Sequence, residues 1–200
     1  MTILRAFAAT MTAGALALGT ASAASVSLSA DAEQVDIGDT VEIALTFTAD
    51  EAAEFLVDNL FELSFDSDLF AFVGADFTDP ATDQNQLDFE LGGLFEAEVT
   101  DTGLVEVSAA SDDFFDVLAE QQADAFTVVT LSFEALANGT GEFALTDFST
   151  FLFAIGLDGE LFEADIAGGA LTVDAVPLPG AAIFLLTGAA GLVARRRLAA

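Results

Sequence analysis

Between Asp31 and Asp174 the chain places all 34 of its acidic residues and not one Lys, Arg or His. No side-chain ion pair can form inside that stretch. Like charges repel across the folded state, so compactness has to come from apolar burial, with cations of the medium screening the surface. The apolar material is present: 54% of the 200 residues are hydrophobic, and all 20 aromatic residues are Phe. This is not the low-hydrophobicity composition of a disordered acidic tail. About 150 residues make one ordinary domain, able to bury ~70% of its unfolded-chain surface. Phosphate recognition depends on Lys and Arg, so nucleic acid is excluded as a partner, and anionic lipid headgroups and polysaccharides are disfavoured.

The four cations sit at the ends, as Arg5 and as Arg195, Arg196 and Arg197. Residues 1 to 23 combine Arg5, an apolar stretch from Ala6 through Leu18 and the small triplet Ala21, Ser22, Ala23. That is the layout of a secretory signal cleaved before Ala24. The chain has no cysteine, which excludes a disulfide framework and a lipid-modified N-terminal Cys. At the other end, Leu178 through Ala194 carry no charge, near the short limit for spanning ~30 Å of hydrocarbon. The three arginines behind them hold that end in the cytoplasm and direct the preceding chain outward. Pro177 and Pro179 stand in or just before the first turn of a helix, where a missing N–H costs least. The expected division is a signal peptide at 1–23, an exported domain at 24–174 and a terminal hydrophobic segment at 175–200.

Within the exported part the periodicity is two. In "VEIALTF" (41–47) Val41, Ile43, Leu45 and Phe47 alternate with Glu42, Ala44 and Thr46, and "FELSFD" (61–66) alternates likewise. Further strands are predicted at 69–77, 94–100, 104–110, 126–136, 141–148, 151–157 and 161–166. "DIGD", "DSD", "DTG", "NGTG" and "LDGE" separate them as loops of the kind that join antiparallel strands. One helix is expected at 111–121, capped by Ser111 or Asp112. Many short strands at regular spacing predict an all-β antiparallel sandwich or jelly roll.

Three stretches of this domain resemble cohesin domains. They are the opening "VSLSADAEQVDIGDTVEIALTFTA", with a Gly-Asp turn before an alternating strand, then "LFELSFDSDLFAFVGADF", and later "DAFTVVTLSFEALANGTGEFALTDF". Cohesins bind dockerins, small calcium-loaded helical domains, on a flat sheet face, and the resemblance implies a receptor for such a partner. The C-terminal "VPLPG", its apolar run and "RRR" resemble the PEP-CTERM class of sorting signal in its VPLP variant, which an exosortase recognises and removes. The residues concerned are Val176, Pro177, Leu178, Pro179, Gly180, Arg195, Arg196 and Arg197. Gly180 departs from the Ala more usual there, a small residue replacing a small residue. The alternative is an ordinary transmembrane anchor that stays on the protein.

Catalytic readings find little support. Without His, Cys or Lys in the domain there is no Ser-His-Asp or Cys-His arrangement and no ordinary zinc site. A carboxylate pair could serve a glycosidase, but 34 carboxylates supply such pairs by chance. Sugar-stacking platforms use Trp or Tyr, whereas Phe reads as core. Two clusters offer oxygen ligands for calcium, without EF-hand spacing: Asp76, Asp79, Asp83 and Asp88, and Asp158, Glu160, Glu163 and Asp165. In so acidic a chain such clusters are mostly solvated surface. "NGT" at 138–140 fits a glycosylation acceptor, but an Asn-Gly turn between strands explains it. Two classes of function remain: a protein-binding module that uses a sheet face, for which strands 69–77 and 104–110 are candidates, and a structural acidic component of extracellular matrix or biofilm.

Overall fold

The computed structural model describes residues 24–50, 54–157 and 160–177. Their strands, numbered in chain order, form two packed sheets. The first contains β1 (Ser25–Ala30), β3 (Thr40–Thr48), β5 (Phe70–Asp76), β8 (Ala125–Ala135) and β12 (Asp165–Ala167), in spatial order β12-β1-β3-β8-β5. The second contains β2 (Gln34–Asp36), β4 (Glu54–Phe65), β6 (Gly93–Asp101), β7 (Leu104–Ser111), β9 (Gly139–Leu145), β10 (Thr150–Ile155), β11 (Leu161–Glu163) and β13 (Ala170–Val176). Its main path runs β11-β10-β4-β9-β13-β2, with β7 on the opposite side of β4 and β6 beyond β7. One helix, α1 (Phe115–Gln121), packs on β4.

The alternation read from the sequence faces each strand as expected. Val41, Ile43, Leu45 and Phe47 point into the space between the sheets and are buried. Phe61 and Leu63 on β4 do the same from the other side. A run of rings joins the two layers. Phe133 of β8 meets Phe143 of β9 at 4.9 Å between centroids, and Phe143 meets Phe70 of β5 at 5.0 Å. Gly141 on β9 makes that approach possible, since a Cβ there would lie 2.5 Å from the Phe70 ring. The aromatic residues are therefore mostly core, as their apolar character requires.

The two-sheet sandwich is as predicted and mostly antiparallel, but β1–β12 and β13–β2 pair in parallel, and several other details differ. β4 begins at Glu54, seven residues before the strand read at 61, because its first part lacks clean alternation. The stretch 161–166 is two strands, β11 and β12, in different sheets. β1, β2 and β13 were not singled out as strands; β1 is built of Ser, Ala, Val and Leu, and β2 is only three residues long. Of the five acidic or glycine turns, "DTG" joins the β6–β7 hairpin and "LDGE" joins β10 to β11. Residues 158 and 159 of the latter lie outside the described residues. "DIGD", "DSD" and "NGTG" instead carry the chain from one sheet to the other. Turn residues report a reversal, not which layer receives the next strand.

The helix is shorter than expected and is not capped by Ser111 or Asp112. It starts at Phe115, its N-cap residue is Phe114, and no side chain caps it. Ser111 ends β7, and its hydroxyl accepts the Asp113 N–H at 3.1 Å, while the Asp112 N–H goes to the Gly92 carbonyl. Asp113 is buried, and its carboxylate turns away from the helix. It accepts the backbone N–H groups of Phe89 at 2.7 Å, Glu90 at 3.1 Å and Leu91 at 2.7 Å. Asp79, also buried, accepts the Thr127 N–H and the Thr82 hydroxyl. Gln86 and Gln122 complete the tie. The Gln122 amide bonds both the N–H and the carbonyl of Leu56, and Gln86 accepts the Ala123 N–H. Asn59 is the exception among the described residues: it is 1% exposed, and neither side-chain amide atom has a partner.

Replacing Asp113 with Ala strands three backbone donors and releases segment 89–91 from α1. Asp113→Ala is expected to cost about 3 kcal/mol and to lower Tm by roughly 6–12 °C. A thermal melt followed by circular dichroism checks this, and a shift under ~2 °C would mean that the carboxylate does not hold the segment.

Candidate sheet-face binding site

The outward side of β10, β4, β7 and β6 is an open surface whose composition can be read row by row from strand register. Phe61, Leu63, Val105, Val107, Ala109, Phe151 and Phe153 point inward as apolar core with Asn59 beside them. The alternate positions lie on the outer side, where α1 covers Phe55 and Ala154 and leaves the rows beyond them open. One row across the strands is Leu152, Asp58, Ala110 and Leu94. The next is Thr150, Leu60, Ser108 and Glu96. The third is Glu62, Glu106 and Glu98. Leu94 is 47% exposed, while Leu60 and Leu152 are half-buried and border a hollow of about 250 Å³ together with Asp58 and Thr150. The face therefore carries an apolar band beside an acidic one.

Two acids in it have distinct surroundings. Burial between the leucines pushes the Asp58 carboxyl above its ordinary value, and the bond it accepts from the Asn59 N–H offsets part of that. Glu62 receives the Thr146 hydroxyl at 3.2 Å. Opposite faces of the sandwich contrast sharply. The outward row positions of the first sheet are small, for example Ser27 beside Thr46 and Thr46 beside Thr127, with Ala44 and Gly74 nearby. The centre of that side lacks large apolar anchors of the kind that carry interface energy.

The residues singled out from sequence are distributed as follows. Strand 104–110 lies in the two-band face, whereas 69–77 is β5, an edge of the other sheet. Val176 is the last residue of β13; its carbonyl accepts the Ile37 N–H at 2.9 Å, and Pro177 beyond it is exposed. Leu178, Pro179, Gly180, Arg195, Arg196 and Arg197 lie outside the described residues, as do Ala21 and Ala23. Ala24 is buried, and its carbonyl accepts the Asp165 N–H. No helix among the described residues is long and apolar enough to cross a membrane; the apolar run 178–194 is not among them.

Neither calcium cluster is assembled among the described residues. Among the described residues no group of three or more carboxylates is placed to hold a metal ion. Asp79 is committed to the Thr127 N–H and the Thr82 hydroxyl, and Asp76 to the Thr78 N–H. Asp158 lies outside the described residues, and Glu163 and Asp165 belong to strands of different sheets. Asn138 sits in the crossing from β8 to β9, not in a hairpin. What sequence reading missed was the two-band face itself. Its signal, acids and apolar or small residues at the alternate positions 58, 60 and 62, 94, 96 and 98, and 106, 108 and 110, becomes visible only once register is known.

A two-layer antiparallel sandwich with one sheet face exposed describes many binding modules, and the backbone narrows this further to the cohesin fold. No protein-family model matches the sequence, and no curated protein matches it. Solved cohesins do match in structure. A cohesin module from a family 33 glycoside hydrolase of Clostridium perfringens is similar with a TM-score of 0.56 and 13% identity, over 78% of this chain and 99% of that one. The seventh ScaB type I cohesin of Pseudobacteroides cellulosolvens gives 0.59 and 10%, over 78% and 94%. The sixth cohesin of Acetivibrio cellulolyticus scaffoldin B, solved in complex with a Cel5 dockerin, gives 0.55 and 14%, over 78% and 100%.

The Asp58 shift has a pH consequence. A carboxyl whose folded pKa is raised binds its proton more tightly in the folded state, so its ionisation costs stability above that pKa and the cost disappears as pH falls through it. Asp58→Asn is expected to raise Tm at pH 7, with the gain shrinking as the solution is acidified into the carboxylate range. Melts from pH 7 to pH 4 check this, with Glu96→Gln as the control for net charge. A gain equal to the control at every pH would remove the burial explanation.

Proposed function

We propose that this chain is an exported, non-catalytic, cohesin-like module that presents the two-band face to a protein partner of the dockerin type. The observation that carries the reading is the face itself, an apolar band beside carboxylates on an open sheet of a cohesin fold. The half-buried Leu60 and Leu152 with the exposed Leu94 supply a centre to desolvate, and the surrounding acids supply orientation and speed of encounter. The partner must be basic, because the exported domain has no cation to offer it.

Export and sorting belong to the same proposal. The signal peptide is cut before Ala24, and the chain is held briefly in the inner membrane of a bacterium by 178–194. An exosortase-type enzyme then recognises Val176 to Gly180, with Arg195 to Arg197 as the stop, and passes the domain to the cell envelope or its surroundings. The described sandwich fits this use at its ends, since the Ala24 carbonyl is bonded within the fold and β13 stops at Val176, the first residue of the motif. A second reading, a structural acidic component of extracellular matrix, is favoured by the formal net charge of −30. It needs no partner protein, only cations that bridge the carboxylates.

Two measurements test the proposal. Basic dockerin modules passed over the immobilised full chain should bind, with association slowing as ionic strength rises from low to physiological. If none binds while the protein is retained in purified extracellular matrix, the structural reading stands in its place. Intact-mass analysis of protein from the native host should find a chain that begins at Ala24 and lacks most residues beyond Pro179. Recovery of Arg195 to Arg197 on the mature protein would leave the permanent anchor.

A further inference from the structure

The chain crosses from one sheet to the other at 163–165, and that crossing closes on Ala24. Glu163 ends β11 in the second sheet and Asp165 begins β12 in the first. The Ala164 N–H goes to the Phe151 carbonyl of the second sheet at 2.9 Å. The next N–H, from Asp165, goes to the Ala24 carbonyl at the head of β1 at 2.8 Å. Ala24 and Ala164 are both buried. In a strand the N–H and C=O of one residue leave on the same side, so the Ala24 nitrogen also faces the crossing. The titratable groups on the segments around it are all carboxylates. Glu163 and Asp165 come from the crossing, and both are exposed. On the β3 side Ala49 gives its N–H to the Asp124 carbonyl, Asp50 follows, and Glu54 accepts the Asp50 N–H at 2.7 Å.

Resting on the signal cleavage before Ala24 proposed above, we propose that processing itself supplies the cation this domain lacks. The new α-ammonium of Ala24 is held as an ion pair by Asp165, with Glu163 beside it, and the pair fastens β12 to β1. Before cleavage that nitrogen is a neutral amide. Hydrolysis of the bond between Ala23 and Ala24 adds one water across it, leaving a carboxylate on Ala23 with the departing signal and an amine on Ala24 that is protonated at neutral pH. No Lys, Arg or His occurs between Arg5 and Arg195, so this is the one positive group of residues 24–179. It arises where the fold gains from it. β12 is a three-residue edge strand, every residue exposed, paired with β1 alone among the described strands, and Asp165 makes its first bond. Ser25 and Asp165 stand side by side in parallel register, ~4.8 Å apart, one residue from the amine. Burial lowers the proton affinity of an amine and carboxylates raise it. Here the acids outweigh burial, since they surround Ala24 and water reaches the exposed crossing. The precursor closes β12 on β1 more weakly, and the fold gains this lock only on export.

The chain has no lysine, so the α-amine is the only amine of the exported protein and an N-hydroxysuccinimide acetate ester acetylates it selectively. Protein exported by its native host is used, with its first residue read by intact mass. Acetylation keeps a backbone N–H and removes the charge. The acetylated protein should melt about 2–4 °C lower at pH 7. A raised amine pKa stabilises the fold fully below the ordinary amine range, and that stability is lost as pH rises through the folded value. The two melting temperatures should therefore converge by about pH 10, and the rate of acetylation against pH should place the amine above the ~7.7–8.0 of an unperturbed one. Asp165→Asn should return the amine toward that range and remove the melting difference. Glu134→Gln, opposite Thr40 at the far end of β3 and with equal loss of charge, should leave both intact. A chain that starts at Ala24 and melts alike with and without the acetyl group keeps the processing reading and overturns the ion pair. An equal melting difference in both variants makes the attraction diffuse and overturns the role of Asp165. A different first residue removes the processing reading and the proposal with it.

Discussion

A domain with no internal cation has to neutralise every buried carboxylate with a hydrogen-bond donor, and that constraint organises this structure. Asp113 accepts three backbone N–H groups, and Asp79 accepts one with a hydroxyl. In each case the acid becomes a clamp that holds an irregular segment against regular structure. Segment 77–92 between β5 and β6 is tied by both, and by the Gln86 and Gln122 amides. In a chain with lysines or arginines such carboxylates would find ion pairs at the surface. Here the backbone is the available source of positive potential, so acids become loop anchors.

The same constraint shapes the sheets. With repulsion spread over the surface, cohesion falls to the layer between the sheets, where Phe133, Phe143 and Phe70 interlock across the two layers. Phenylalanine suits that place because it carries no polar atom that must find a partner. Outside, acids are set opposite uncharged residues on adjoining strands, for example Ser132, Thr130, Val176 and Leu152, which keeps like charges from meeting head on. The glutamate row on β4, β7 and β6 is the departure. Its placement beside Leu60, Leu152 and Leu94 ties the electrostatics of the fold to the face proposed for binding.

Fold and function part company at the two-band face. A cohesin-like backbone is compatible with many surfaces, and identities of 10 to 14% to the solved cohesins described above carry no residue roles across. What recommends the face is local: an apolar centre, flanking acids, a carboxyl whose proton affinity is raised by burial, and a row of like charges retained at a cost in stability. The opposite sheet has acids at Glu42, Glu134 and Asp76, but Ser27, Thr46, Thr127 and Ala44 on its outward side give it no apolar centre, and no acid there stands opposite another.

The sequence by itself determined the layered all-β architecture, since alternation in "VEIALTF" or "FELSFD" assigns one side of each strand to the core without reference to any neighbour. It also determined that no His- or Cys-based chemistry belongs to residues 24–174, because this follows from residue types alone. Tertiary structure decided what depends on who lies beside whom. "DTG" and "DSD" are equally good turns, yet one closes a hairpin and the other changes sheets, and the choice is made by packing between layers. Ser111 looked like a helix cap, but its hydroxyl takes the Asp113 N–H, and the helix waits until Phe115. Glu62 lies dozens of residues from Glu98 and Glu106, and none of the three carries a mark in sequence. Only strand register makes them one row, because cross-strand neighbours are set by pairing and not by order along the chain.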